Sequence, residues 1–303
     1  MIVATGASIT GSLAGCLNVA SDFTAGNQTT VTIGGKQFTE QLILSNVSTL
    51  LLRDAGFTVE ATFPVGGSTA NYEGIISGRV DHYWEYTGTA WNNHLGREET
   101  VRDPQELYEN VSNTFKEEFG IVWLQMADFN NTYVVTANEE WKQETGVKSL
   151  SGLAEYIDSG NEVRWAVSQE YLDNPSAFGA LPEFYDFKEN VDNVEWVKMA
   201  IGTINYQAVA NGNVDLGVGF ATNPNIEKFG LPTIENDQNW FVIYYPAPLV
   251  QEDVLTDEIR SVLNEAASAL DTKIIQSLNL KVANGVEEPK AVAQNWLREE
   301  GLL

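Results

Sequence analysis

Apolar positions in the first third of the chain follow two periods, one typical of strands and one typical of helices. The run 31–36 predicts a β-strand that ends in a glycine turn, and apolar residues at helical spacing then predict a helix that stops at Gly56. A second strand is predicted at 57–64, a second helix at 69–77 and a third strand at 83–86. This alternation through short connections is typical of an α/β fold with a parallel sheet.

The same alternation returns in the second half of the chain. Strands are predicted at 163–167, 194–199 and 214–219, and helices are predicted to begin at Phe184 and at Ile204. The sequence therefore implies two similar α/β lobes.

Two short segments, Gly78–Asp81 and Gly212–Asp215, have similar sequences and lie at equivalent positions in the two halves of the chain. Each is expected to end a helix and to deliver an aspartate into the following strand. Further along, 241–250 is strand-like, and helices are predicted at 257–270 and 288–300. We expect this last part to return to the lobe that contains the first strands.

These segments divide the chain into a terminal tether and two lobes. Ligands of open α/β sheets bind beyond the carboxyl ends of the strands, and clefts between domains are preferred sites. Residues that directly follow the strands are therefore the candidates for a binding site. The expected boundaries are 1–30 for a signal and tether, 31–132 with 242–303 for the first lobe, and 133–241 for the second lobe.

Net charge adds information about the environment of the protein. The 303 residues include 42 acidic and 17 basic side chains, which gives a formal net charge of −25 without any long acidic block. Self-repulsion of this size is relieved by salt, because the Debye length falls to about 3 Å at 1 M ionic strength. The charge therefore indicates a salt-adapted protein rather than an ordinary acidic one, and it argues against a nucleic-acid binder, which needs a basic face.

The amino terminus contains a candidate lipid-anchor site. Residues 1–15 carry no charge and end in small residues directly before the single cysteine, Cys16, and the polar segment 17–30 suits a tether. A secretory signal needs a basic segment that is missing here, which a start codon assigned too far downstream would explain. The alternative is a stray cysteine. We expect lipidation of Cys16 and attachment to the extracellular face of the cytoplasmic membrane.

Motifs of several enzyme classes are missing. The sequence contains no P-loop, no complete dinucleotide-binding glycine motif, no Gly-x-Ser-x-Gly nucleophile elbow and no His-Glu-x-x-His. One cysteine and two histidines leave little for a metal cluster. We therefore expect no enzyme, no cofactor and no metal.

Aromatic residues follow several of the predicted strand ends, and others begin the next element. These residues are Tyr86, Tyr133, Tyr206 and Phe220. Rings that face inward form a cage for a cation, and neutral rings suit a quaternary ammonium group better than a carboxylate does. For each ring alone, packing in the core is the commoner role, so the pattern leaves both roles open.

The segment Gly34–Gln41, Gly-Gly-Lys-Gln-Phe-Thr-Glu-Gln, closely resembles the opening of substrate-binding proteins of ABC transporters for osmoprotectants, the glycine betaine, choline and carnitine branch. The resemblance covers nearly all of 31–300. It continues, in the same order, through 84–89, 131–133, 202–206, 214–222 and 288–293.

This resemblance implies an α/β, two-lobed type II periplasmic-binding-protein fold, with two crossover strands and a ligand cleft between the lobes. It implies an extracytoplasmic receptor, expected as a monomer, that captures a quaternary-ammonium osmoprotectant and delivers it to an ABC permease and ATPase complex. The alternatives are an enzyme, or a binding protein for a different small zwitterion, on the same fold.

The resemblance also assigns roles to individual residues. By motif, Tyr86, Tyr133 and Tyr206 match walls of the family's tyrosine box, and Phe220 stands where a tyrosine is usual. Phenylalanine keeps the aromatic face and loses a hydroxyl group.

Two further residues match the family's grip on a ligand carboxylate, Lys36 after the first strand and Thr89 after the first cage tyrosine. Some members add an arginine from the second lobe, but 169–182 contains none. This departure favours a wider range of ligands, choline among them.

Overall fold

Two five-stranded sheets form the framework of the computed structural model, which describes residues 30–173, 175–199 and 202–303. The strands are β1 Thr30–Ile33, β2 Thr58–Ala61, β3 His82–Tyr86, β4 Ile121–Trp123, β5 Tyr133–Ala137, β6 Val163–Val167, β7 Val194–Lys198, β8 Leu216–Phe220, β9 Thr233–Ile234 and β10 Pro246–Gln251.

Helices cover both sheets. They are α1 Thr39–Asp54, α2 Ser68–Ile76, α3 Thr87–Thr89, α4 Pro104–Phe119, α5 Glu139–Thr145, α6 Leu150–Asp158, α7 Gln169–Asp173, α8 Leu181–Phe184, α9 Thr203–Ala210, α10 Pro224–Phe229, α11 Asp257–Ser268, α12 Thr272–Ala283 and α13 Pro289–Glu299. Short π- or 3₁₀-helical segments lie at Ala90–His94, Pro175–Gly179 and Lys188–Asn193. Within the described residues, none of these helices combines the length and the apolar character that crossing a membrane requires.

Each sheet is mixed rather than purely parallel. In the first sheet, ordered β2-β1-β3-β10-β4, strand β10 runs antiparallel to both of its neighbours. In the second sheet, ordered β7-β6-β8-β5-β9, strand β5 is the antiparallel member. Strands β5 and β10 each follow a crossing of the chain from one lobe to the other, and each enters its new sheet in the reverse direction. This arrangement is the two-lobed α/β fold expected of a type II periplasmic binding protein.

One part of the core of the first lobe lies between its sheet and the four helices α1, α11, α12 and α13. Ile43, Leu44 and Val47 on one face of α1 are fully buried together with Trp296 and Leu297 of α13. Burying a large apolar side chain stabilises a fold by about 1.5–3 kcal/mol, so this interface holds the C-terminal helices on the first lobe.

The two aspartates that the sequence pairs by position have equivalent structural roles. Asp81 accepts a hydrogen bond from the backbone amide of Thr32 at 2.6 Å. Asp215 accepts one from the backbone amide of Arg164 at 2.7 Å, and it also forms an ion pair with the Arg164 guanidinium at 2.6 Å. In each lobe an aspartate directly before one strand, β3 or β8, thus forms a hydrogen bond to the neighbouring strand, β1 or β6.

Some predicted elements differ from the structure. The helix predicted to begin at Phe184 ends there, since α8 starts at Leu181 and carries its proline in the first turn, where a missing amide hydrogen is tolerated. The predicted strand 241–250 is regular only from Pro246 to Gln251, because the preceding residues cross between the lobes. Helix α12 was not predicted.

Candidate functional site

A cavity of about 500 Å³ lies between the two lobes. Its wall is built by the residues that follow β1, β3 and β8, by the crossover segments and by α12. The lining residues are Lys36, Phe38, Thr39, Glu40, Ser68, Tyr86 and Thr89 from the first lobe, Phe220, Thr222, Asn223 and Pro224 from the second, Asn131, Tyr133 and Tyr244 at the crossovers, and Asn279 and Ala283 from α12.

The predicted ligand-binding residues lie together at this cavity with one exception, and the predicted lipid-anchor residue, Cys16, lies outside the described residues. Lys36, Tyr86, Thr89, Tyr133 and Phe220 all line it. The strand ends place them there, because the carboxyl ends of β1, β3 and β8 face the cleft, as expected for open α/β sheets.

The exception is Tyr206, which was expected as a wall of the cage. Its side chain is fully buried behind strand β8, and its hydroxyl oxygen accepts a hydrogen bond from the backbone amide of Phe220 at 3.2 Å. Gly219 makes room for it, since a β-carbon there would lie 1.8 Å from the hydroxyl oxygen. In this structure Tyr206 therefore supports Phe220 rather than lining the cavity.

Aromatic rings face the cavity from both lobes. In the first lobe the rings of Phe38 and Tyr86 stack with their centroids 6.2 Å apart. Across the cleft, the rings of Tyr133 and Phe220 have centroids 5.5 Å apart. Phe38 and Phe220 are 41% and 38% exposed, and both line the cavity. Phe38 was not predicted, although it lies within the quoted motif.

A buried charge cluster lies behind the wall of the first lobe. The Lys36 ammonium, 3% exposed, forms an ion pair with the fully buried Glu85, and it lies 4.9 Å from the centroid of the Tyr86 ring. The other carboxylate oxygen of Glu85 lies 2.8 Å from His94 Nε2. Burial opposes ionisation of Glu85, but the charges and hydrogen bonds of Lys36 and His94 outweigh it and hold its pKa below the ordinary value.

Lys36 was expected to hold the carboxylate of a ligand. The structure places it at the cavity and gives it a carboxylate of the protein itself as partner. A sequence identifies a lysine after a strand; it does not reveal which acidic residue of a neighbouring strand will lie beside it.

A second buried carboxylate, Glu40, lines the cavity in the first turn of α1. Its Oε1 accepts hydrogen bonds from the Tyr86 hydroxyl at 2.6 Å and from Asn131 Nδ2 at 3.1 Å, and its Oε2 accepts one from Asn279 Nδ2 at 3.2 Å. Burial raises the pKa of Glu40 above its ordinary value, although these hydrogen bonds counteract the increase.

Glu40 was not predicted as a site residue, since the sequence pointed to neutral rings together with Lys36. The residue stands in the quoted motif, but an acidic side chain in the first turn of a helix is ordinarily explained by the helix dipole. Its position at the cavity depends on the packing of α1 against the strand ends, which the sequence pattern does not reveal.

Helix α12 and a loop residue connect the two lobes beside the cavity. Asn279 also donates a hydrogen bond to the backbone oxygen of Thr222 in the second lobe, at 3.1 Å. On another flank, Arg102 donates to the backbone oxygen of Asn239 at 2.8 Å, and its guanidinium lies 5.4 Å from the Trp240 ring. These contacts join elements whose separation would change if the lobes moved.

A protein site for a metal ion is ordinarily built from several histidine, cysteine or carboxylate side chains. Over the residues that the structure describes, no group of three or more histidine, cysteine, aspartate or glutamate side chains is arranged to hold one. The chemistry of the cavity is that of a polar and aromatic binding cleft.

Comparisons with known proteins agree with this description. Residues 29–299 match the family OpuAC, described as the substrate-binding domain of the ABC-type glycine betaine transport system. The chain is 31% identical to a glycine-betaine-binding protein of Pseudomonas aeruginosa over 95% of this chain and 94% of the relative. It is 28% identical to the glycine betaine-binding protein YehZ of Escherichia coli over 89% of this chain and 90% of that protein. The solved structure of apo YehZ superposes with a TM-score of 0.80 at 26% identity, covering 91% of this chain and all of that one.

Proposed function

Because the chain belongs to the family of substrate-binding domains of ABC-type glycine betaine transport systems, we propose that it captures a quaternary-ammonium osmoprotectant outside the cytoplasm and delivers it to an ABC permease and ATPase complex. The observation that carries this proposal is the cavity between the lobes with aromatic rings on both sides. It is the part of the molecule in which a small cation would touch both lobes at once.

The rings supply the recognition of the cation. A quaternary ammonium group has no N–H to donate, and a desolvated contact with an aromatic face contributes about 2 kcal/mol. Tyr86 from the first lobe and Tyr133 and Phe220 from the second line the cavity. Several contacts of this size would support a micromolar dissociation constant, which corresponds to about −8 kcal/mol.

Capture would be coupled to closure of the lobes. A ligand shifts a conformational equilibrium only by its differential affinity for the two states. A ligand held by Tyr86 in one lobe and by Phe220 in the other has that difference, because the open state offers only one set of contacts. Thr89, 9% exposed at the wall, offers a hydroxyl group to the polar end of the ligand.

Calorimetry tests the proposed function directly. We expect glycine betaine, choline or carnitine to bind, proline to bind far more weakly, and Phe220→Ala to weaken binding by about 30-fold, the equivalent of one lost cation–π contact. Phe119→Ala is a matched control, since this half-buried ring of α4 does not line the cavity. The proposal fails if none of the three quaternary amines binds, or if the control weakens binding as much as Phe220→Ala.

The alternatives make different predictions for a natural ligand. An enzyme would convert its substrate, and a receptor for another zwitterion would retain that solute during purification. Mass spectrometry of the ligand released from protein purified without denaturation distinguishes these cases. We expect an unmodified quaternary amine.

We also propose that the protein acts as a monomer held by a lipid on Cys16, a residue outside the described part of the chain. Lipidation would keep the receptor near its permease at the extracellular face of the membrane. Mass spectrometry of the membrane-extracted protein would show a diacylglycerol adduct on Cys16, and an unmodified amino terminus would contradict the anchor.

Adaptation to concentrated salt is the last part of this proposal. With a net charge of −25, we expect the melting temperature to rise with KCl, by about 2 °C for each kcal/mol of relieved repulsion in a chain of this size. Sucrose is the control, because it favours compact states without screening charge. Equal stability in dilute buffer and in concentrated KCl would rule out this adaptation.

A further inference from the structure

The two buried carboxylates near the cavity, Glu85 and Glu40, have different partners. Lys36 forms a buried ion pair with Glu85, and His94 Nε2 lies 2.8 Å from the other oxygen of the same carboxylate. Glu40 is 3% exposed and receives hydrogen bonds from Tyr86, Asn131 and Asn279, all of which are neutral donors. Among the residues that the structure describes, no cationic side chain forms an ion pair with Glu40. Burial raises the pKa of Glu40, because its ionised form lacks a counter-charge, and a cation bound in the cavity would supply that charge and favour the ionised form.

A ligand that enters the cavity meets the unpaired carboxyl group of Glu40. A cation supplies the missing counter-charge in a place where water is largely excluded, so the attraction is screened much less than at the surface. The carboxylate of a zwitterion adds a negative charge of its own. The cation that would receive that carboxylate, Lys36, is already paired with Glu85, and no arginine stands among the described residues that line the cavity.

We propose that the cavity selects a quaternary-ammonium monocation without a carboxylate over a zwitterion, and that Glu40 is the residue that determines this choice. The inference rests on the proposed function and narrows its ligand class. Choline has the required chemistry, whereas glycine betaine and carnitine carry the disfavoured carboxylate.

Glu40 acts on the cation through Tyr86 as well as through its own field. Burial and the neighbouring Glu40 raise the pKa of Tyr86 above its ordinary value, so the phenol stays protonated. Its hydroxyl group donates a hydrogen bond to Glu40 Oε1 at 2.6 Å. Donation to a carboxylate polarises the phenol towards negative charge on the ring. The Tyr86 ring, which lines the cavity, is therefore more attractive to a cation than the ring of an isolated tyrosine, and this gain offsets part of the repulsion from the Lys36 ammonium 4.9 Å from its centroid.

A calorimetric series with three ligands separates the effect of the ligand's carboxylate on affinity from the effects of its trimethylammonium and hydroxyl groups. Choline, glycine betaine and carnitine share the trimethylammonium group, so contacts with the rings cancel when their affinities are compared. Choline and carnitine both have a hydroxyl group, whereas betaine and carnitine both have a carboxylate. We expect choline to bind at least about tenfold more tightly than either zwitterion.

Variants of Glu40 then test the assigned residue. Glu40→Gln removes the charge and keeps an oxygen for the Tyr86 hydroxyl, and it should reduce the choline preference by about tenfold. Glu40→Asp retains the charge and should retain most of the preference. Glu265→Gln removes one charge from an exposed position of α11 and should leave the ratio unchanged.

The outcomes are separable. If none of the three ligands binds, the proposed function fails and the inference fails with it. If betaine or carnitine binds as tightly as choline to the unaltered protein, only the inference is overturned. A choline preference that survives in a folded Glu40→Gln variant overturns the role of Glu40. The wild-type ratio tests the ligand class even if that variant does not fold.

Discussion

Replacing Lys36 by methionine should lower the free energy of unfolding by about 3–5 kcal/mol, because it leaves a buried carboxylate without its cation. The partner is Glu85, which is fully buried, and Lys36 itself is 3% exposed. Urea unfolding at a fixed, high KCl concentration measures the loss. The same replacement at Lys281 is a matched control, because its ion pair with Glu299 is long, at 3.9 Å, and partly exposed. We expect that control to lose less than about 1 kcal/mol.

The double variant Lys36→Met with Glu85→Gln identifies the cause. It removes both charges and keeps the shape of the second side chain, so it should recover much of the stability that Lys36→Met loses. His94 Nε2, 2.8 Å from Glu85, would then face a neutral amide oxygen. If the double variant is as unstable as Lys36→Met alone, the isolated charge is not the reason for the loss.

Lys36 also illustrates how much of the site could be predicted from sequence. The β-α-β pattern placed the lysine correctly at the end of the first strand, and the structure brings it to the cavity. The ion pair with Glu85 depends on a neighbour that lies 49 positions away in the chain. The local sequence pattern predicts which residues follow a strand. Whether a charged side chain at that position is free to bind a ligand depends on the tertiary packing, which the pattern does not reveal.

The fold shows the same division between local and long-range information. Strand β6, Val163–Val167, was predicted with the observed bounds, because its apolar run is local. The antiparallel insertion of β10 was not predicted, since it depends on pairing between Pro246 and Tyr86 across the chain. Helix α12 was also missed, although its Asn279 reaches Glu40 and joins the two lobes. Polar residues that face inward weaken the helical pattern from which such an element is recognised.

A second large effect is expected from pH, through the buried histidine of β3. The side chain of His82 is fully buried, its Nδ1 lies 2.8 Å from the backbone oxygen of Leu249, and its Nε2 lies 2.8 Å from Ser48 Oγ. A carbonyl oxygen only accepts, so Nδ1 carries the proton and Nε2 accepts from the serine hydroxyl. Trp84 Nε1 donates to the same serine oxygen at 2.8 Å, which leaves the serine hydrogen free to point at His82. The neutral ring is thus fully satisfied.

Protonation of His82 would break this arrangement, because the new Nε2 hydrogen would face the serine hydroxyl hydrogen. Burial lowers the pKa of His82 from 6.5 to about 4, although the hydrogen bond to Leu249 opposes the decrease. In the unfolded chain the ring takes up its proton below pH 6.5, and in the folded chain only below about pH 4. The neutral His82 ring therefore makes its full contribution to the free energy of unfolding above pH 6.5. This contribution decreases as the pH falls from 6.5 to about 4, and it is lost below that pH.

The size of this loss is about 3 kcal/mol, since each pKa unit corresponds to about 1.4 kcal/mol. Urea unfolding at constant KCl, followed from neutral pH into acid, measures it as the difference between the unaltered protein and His82→Gln. Carboxylates titrate in both proteins, so their contribution cancels in the difference. We expect the stability of the unaltered protein to fall more steeply across this window, because the glutamine variant has no ring to protonate. Parallel curves would mean that His82 takes up its proton equally in the folded and unfolded chains, and the buried neutral ring would then not be the source of the acid sensitivity.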